Sequence, residues 1–152
     1  MPQIGDEGLA DYIDVFCERG FFSVDETSLL LETGAKYGLR PKIHANQLSA
    51  SGAVEIGVKH HGLSVDHLEM LDHHAVNALM SGSTIATLLP SCSLFLGIPF
   101  ADARRLMQAN IPVALASDFN PGSSPSGNMN LVVSLACIKQ KMLPQEAINA
   151  AT

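Results

Sequence analysis

A parallel α/β sheet of five strands, read as part of an eight-stranded (β/α)8 TIM-like barrel, is the fold this sequence predicts. Three observations carry it. Strand-like and helix-like segments alternate along the chain with a period of roughly twenty to thirty residues, which implies parallel strands joined by right-handed crossovers. The 152 residues are 47% hydrophobic and only 16% charged, as strands buried on both faces require. No Gly-x-Gly-x-x-Gly follows any strand, which disfavours an open dinucleotide-binding sheet, and Glu146–Thr152 stops inside a helical pattern with no cap and no Gly.

Tyr12–Cys17 is a short apolar strand. Ser23 and Glu26 then form a capping-box pattern that opens a helix running to about Tyr37 and stopping at Gly38. Leu30, Leu31, Gly34 and Ala35 give that helix an inward stripe. Lys42–Ala45 is the second strand, and a helix over about Gly52–His60 follows. Ser64–His67 is the third strand. Asp72 caps the next helix, in which Ala75, Val76, Leu79 and Met80 share a face and which ends at Gly82. Thr84–Leu89 is the fourth strand, closed by Pro90. A loop with Ser91, Ser93, Gly97 and Pro99 leads to a helix over about Ala101–Asn110. Val113–Ala116 is the fifth strand, a helix over about Asn128–Lys141 follows, and Pro144 opens a last one. Nothing in the chain reads as a linker or a low-complexity segment.

Composition narrows the function. A net charge of −6 and a pI near 5.4, with no basic cluster interleaved with aromatics, argue against nucleic acid as a partner. No apolar run approaches the roughly 18–20 residues of a membrane span. Met1–Glu7 lacks the basic and then apolar regions of a signal peptide. The three cysteines, Cys17, Cys92 and Cys137, fit neither a zinc-ribbon spacing nor a disulfide framework. Buried thiols in a reduced, cytoplasmic compartment are expected.

The chemistry gathers at strand ends. Lys42-Ile43-His44, Ser64-Val65-Asp66-His67 and Val113–Asp118 each finish in a side chain that ligates metals. The C-terminal ends of parallel strands are where α/β proteins assemble their sites. Two imidazoles and a carboxylate suit a zinc or iron hydrolase, and Asp118 is also placed to take a proton from the attacking water. Gln47, three residues after His44, can hydrogen-bond a polar ring. Asn120, Gly122 and Ser123 lie in a small-residue loop that offers N–H groups and hydroxyls to a carboxylate or phosphate. His60, His61, His73 and His74 flank helices and read as surface residues. Glu18 follows the first strand, which by itself is only a weak signal that it faces the site.

These segments resemble one family. Asp-Val-Phe-Cys-Glu-Arg-Gly at 14–20, Lys-Ile-His-Ala-Asn-Gln-Leu-Ser at 42–49, Val-Asp-His-Leu at 65–68 and Ala-Ser-Asp-Phe-Asn-Pro-Gly-Ser-Ser-Pro at 116–125 are similar to the imidazolonepropionases of the amidohydrolase superfamily. The resemblance implies a metal-dependent amidohydrolase barrel, of which residues 1–152 would be a single partial domain covering about strands four to eight, truncated at both ends. It implies ring opening of 4-imidazolone-5-propanoate to N-formimidoyl-L-glutamate in histidine degradation, with one zinc or iron ion. It implies His44 and Asp118 as metal ligands, and Gln47, Asn120, Gly122 and Ser123 as substrate contacts. Asp118, His67 and Gln47 are the implied catalytic set, with His67 polarising the ring carbonyl. The family's His-x-His metal pair is absent from these residues, so the chain alone is expected to be inactive. Unpaired barrel edges lead us to expect a homo-oligomer. Two alternatives stay open, another amidohydrolase such as a nucleobase aminohydrolase, and a half-barrel that binds no metal.

Overall fold

The computed structural model describes residues 1–152. Five strands, β1 (Tyr12–Cys17), β2 (Arg40–Ala45), β3 (Ser64–His67), β4 (Ile85–Leu88) and β5 (Val113–Leu115), form one parallel sheet in sequential order. The register runs Phe16↔His44, His44↔Asp66, Asp66↔Thr87 and Thr87↔Ala114. A parallel neighbour at every step is what an unbroken β/α repeat produces. Sequential, all-parallel order is the order of strands in a section of a (β/α)8 barrel.

The helices are α1 (Pro2–Asp6), α2 (Val24–Ala35), α3 (Ala53–Lys59), α4 (His73–Met80), α5 (Pro90–Leu96), α6 (Ala103–Gln108), α7 (Met129–Ile138) and α8 (Pro144–Ala150). The capping box at the start of α2 is formed: Ser23 accepts from the Glu26 amide while Glu26 accepts from the Ser23 amide. Asp72 caps α4 through the Ala75 amide. Val15, Ile43, Val65, Ala86 and Leu88 meet Leu31, Val54, Leu79 and Leu106 in one apolar core, so alternate strand residues face the helices. Asp14, Phe16, Lys42 and His44 point the other way and are half-buried to exposed.

Several expectations are corrected. α1 was not foreseen. The segment 90–96 is a helix rather than a loop: Pro90 stands at its first position and Gly97 ends it in the left-handed region (φ 66°), so both punctuation signals outweigh the serines between them. β2 starts at Arg40, through Pro41. The proline is tolerated because its carbonyl accepts from Leu63 on the β3 side, one residue before that ladder begins, so its missing N–H faces no strand. Ala35 and Met80 are exposed, because the inward stripes of α2 and α4 are narrower than expected, at Thr27, Leu31 and Gly34 and at Ala75, Val76 and Leu79. Cys17 and Cys92 are buried, whereas Cys137 is half-buried. His60 is also half-buried, 2.9 Å from the Ser28 hydroxyl.

Gly57 sets how closely α3 approaches the sheet. A Cβ added there would lie 2.7 Å from Val65 Cγ1 and 3.1 Å from Ile43 Cδ1. Gly57→Ala is expected to lower stability by about 1–3 kcal/mol, the usual cost of overpacking. A urea midpoint no lower than that of the wild type would contradict this packing. The outer edges of β1 and β5 pair with no strand. Self-association of the purified chain is therefore expected. Light scattering that reports a monodisperse monomer, with strong amide protection in both edge strands, would overturn it.

Candidate metal centre

His44 is the penultimate residue of β2 and His67 the last of β3, while Asp118 lies three residues beyond β5. β4 runs between the second and third of these, so Asp118 reaches the histidines past the β4 tip. One potential ligand atom from each of the three lies within 4.8 Å of the others, and the two imidazole rings are 5.2 Å apart. Donors on one tetrahedral zinc sit roughly 3.3 Å from each other, so two imidazoles and a carboxylate fit such an ion after small side-chain movements. They border a cavity of about 290 Å³ that Phe16, Gln47, Leu48, Leu96, Asn120 and Ser123 complete.

Local backbone geometry aims these groups. Asn46, His67, Leu68 and Asp118 all have positive φ, from 51° to 89°, a conformation that costs non-glycine residues about 1–3 kcal/mol each. At His67 and Leu68 it ends the strand and leads into the turn at residues 69–70. The Leu68 amide then donates to the Ala45 carbonyl (3.1 Å) and the Met70 amide to the Asn46 carbonyl (2.8 Å). The other non-glycine residues with positive φ, His61, Asn110 and Lys141, follow helices instead.

Each ring has a carboxylate neighbour that sequence reading did not assign. His44 Nδ1 lies 2.9 and 3.1 Å from the two carboxylate oxygens of Asp14. This bond raises the proton affinity of His44; burial works against it, and the charges of Asp14, Asp66 and Asp118 add to it. His67 Nδ1 lies 3.6 Å from Glu69 Oε1, both side chains being buried, and Ser93 donates to the same oxygen at 2.8 Å. Asp14 has the alternating in-strand position of an ordinary solvent-facing residue, and Glu69 lies in the turn after β3, so neither carried a signal in one dimension.

Gln47 is buried and donates to Cys92 Sγ at 3.4 Å. Burial pushes the Cys92 thiol up to about 12, so it stays protonated. Asn120 organises its own loop. Its Oδ1 accepts from the amides of Gly122 (2.9 Å) and Ser123 (2.8 Å), and its Nδ2 donates to the Asp118 carbonyl and the Ser123 hydroxyl. Ser123 in turn donates to Asp118 Oδ2 at 3.3 Å. The amides expected to be open to an anion are thus bonded within the loop, and Gly122 is exposed outside the cavity lining.

Glu18, at the β1 tip, ties the loop that carries Gln47. Its carboxylate accepts from the amides of Leu48 (2.9 Å), Ser49 (3.1 Å) and Arg19 (2.8 Å) and from the Ser49 hydroxyl. Burial alone would push this carboxyl up, but the Ser49 hydroxyl and the three amides together hold it below the usual range. Glu18→Gln is therefore expected to cost on the order of 2–3 kcal/mol at neutral pH. A depressed carboxylate contributes its stability above the unfolded value of about 4.3 and loses it as pH falls through the folded value. The gap between wild type and variant should accordingly close in acid. A gap that stays constant from pH 7 to pH 3 in urea titrations would contradict the clamp.

No family model matches the chain. Imidazolonepropionase of Christiangramia forsetii is 57% identical over all 152 residues, which are 37% of that protein. Imidazolonepropionase of Flavobacterium johnsoniae is 55% identical over the same span and the same share, and that of Geobacillus kaustophilus 45%, over 36% of its length. The chain therefore spans little more than a third of the curated relatives it matches. In fold, an adenosine deaminase from Xanthomonas campestris with bound zinc superposes at a TM-score of 0.77 and 13% identity, over 99% of this chain and 40% of that one. An amidohydrolase from a Sargasso Sea sample superposes at 0.71 and 20% identity, over 93% of this chain and 33% of that one. The chain is thus similar over its whole length to a section of the imidazolonepropionases, and its fold matches a section of those two solved structures.

Proposed function

We propose that this chain is the section of a hydrolase that supplies half of a metal centre and part of the pocket for 4-imidazolone-5-propanoate, opening that ring with water to N-formimidoyl-L-glutamate in histidine degradation. The observation that carries the reading is the meeting of His44, His67 and Asp118 at one cavity, in a chain similar throughout to imidazolonepropionases. His44 and Asp118 would hold the divalent ion, zinc or iron. Bound there, the ion would supply Lewis-acid polarisation and a more acidic water.

The chain's own groups handle the protons. Hydrolysis joins the water oxygen to the ring carbonyl carbon, breaks the ring C–N bond and moves one water proton to the leaving nitrogen. Asp118 borders the cavity and takes that proton, then returns it to the nitrogen. Ser123 donates to its Oδ2 and so helps to orient the carboxylate. His67 borders the same cavity and would polarise the ring carbonyl by donating a ring N–H to its oxygen as charge develops. Gln47 hydrogen-bonds the ring. A propionate carboxylate would take over the Gly122 and Ser123 amides from Asn120 Oδ1, exchanging a neutral acceptor for a charged one. No helix is long and apolar enough to cross a membrane, and the three thiols are free. The similarity to imidazolonepropionases, which are metabolic enzymes, supports a place in the cytoplasm.

The isolated chain should show no steady turnover, because it carries no His-x-His pair. The direct test is a chimera in which these residues replace the matching section of the Flavobacterium johnsoniae imidazolonepropionase. It should open the imidazolone ring, and Asp118→Asn or His67→Ala within it should each lower kcat by roughly 10²–10⁴-fold. A folded, metal-loaded chimera that ignores this substrate, or that deaminates guanine or adenosine instead, would refute the assignment.

A further inference from the structure

Asp14 stands on β1 two residues before Phe16, which pairs with His44. Its direct register partner is Lys42, yet the Lys42 ammonium turns away toward β3. There it donates to Ser64 Oγ at 2.7 Å and lies 3.6 Å from Asp66 Oδ2, while Ser64 donates to Asp66 at 2.7 Å. Asp14 is left to its diagonal neighbour, and both its oxygens approach His44 Nδ1, at 2.9 and 3.1 Å. Phe16 packs edge-on against the same ring at 5.8 Å and limits its swing. A carboxylate is acceptor-only when ionised, so a neutral His44 facing it must carry its proton on Nδ1.

We propose that Asp14 is the positioning residue of His44, fixing the Nδ1–H tautomer and thereby presenting the unprotonated Nε2 lone pair to a divalent metal ion shared with Asp118. The metal half of this statement rests on the function proposed above; the tautomer half does not. A histidine can ligate through only one nitrogen here, and an imidazole free in water favours the opposite tautomer, with the proton on the nitrogen needed for the metal. A carboxylate behind the ring removes that mismatch and makes the ligating nitrogen a better donor. Asp14 is a side chain with 43% exposure on the sheet face away from the core, so replacing it leaves the packing intact.

The test uses the ¹⁵N-labelled 152-residue chain. Two-bond ring-nitrogen spectra, recorded where His44 is neutral, read its tautomer, with His44→Ala identifying the signal. Wild type should show Nδ1–H, and Asp14→Ala should shift the population to Nε2–H. Asp14→Asn, whose amide oxygen still accepts, should keep Nδ1–H. Competition with a chromophoric chelator gives zinc affinity, which should fall roughly 10–100-fold in Asp14→Ala and less in Asp14→Asn. An unchanged tautomer in a folded Asp14→Ala chain overturns the proposal. So does an unchanged zinc affinity where the wild type binds. If no form of the chain binds zinc, the same competition in the chimera with the Flavobacterium johnsoniae protein decides the metal half, where an unchanged affinity in Asp14→Ala overturns it, while the tautomer shift alone still decides whether Asp14 positions His44.

Discussion

The parallel hydrogen-bond ladder from β1 to β5 is the constraint on which the site depends. Because every strand runs the same way, every C-terminal end lies on one edge, and residues far apart in sequence become neighbours there. The ladder also divides each strand by alternation. Ile43 and Val65 enter the helix-covered core, so His44 and Asp66 must face the other side, and Phe16 and Asp14 with them. A slip of one residue in β2 would bury His44 among α2 and α3 and put Ile43 at the cavity. Core packing and ligand placement are consequences of one register.

The edge so formed is tied together by its loops. Glu18 at the β1 tip holds the loop after β2, Ser51 bonds back to the Cys17 carbonyl, and the turn after β3 bonds to Ala45 and Asn46. Ser93 on α5 reaches Glu69, behind His67. These bonds offset the left-handed conformations of Asn46, His67, Leu68 and Asp118, which would be unfavourable in an unanchored loop. The strain sits where side chains need unusual directions. The apolar core is left to ordinary strand and helix geometry.

How much of this the sequence discloses follows from which interactions are local. The alternation of segments, the Ser23 and Asp72 caps and the strand-end positions of His44, His67 and Asp118 are short-range patterns, and they were legible. The α5 helix was hidden because its serines resemble a loop, although Pro90 and Gly97 marked both ends. Asp14 and Glu69 were hidden for a different reason. Their meaning lies in contacts across thirty residues to His44 and across a turn to His67, which depend on register and backbone direction. The loop at 120–123 shows the converse limit. Its composition disclosed donors, but only coordinates show that Asn120 already accepts from two of them.

The most direct measurement of the central claim is a crystal structure of the chain grown with zinc, with anomalous data collected on both sides of the zinc absorption edge. The account predicts an ion within bonding distance of His44 Nε2 and Asp118, at the C-terminal edge and beside His67. Zinc bound only at His60, His61, His73 or His74, with His44 and Asp118 apart, would contradict it.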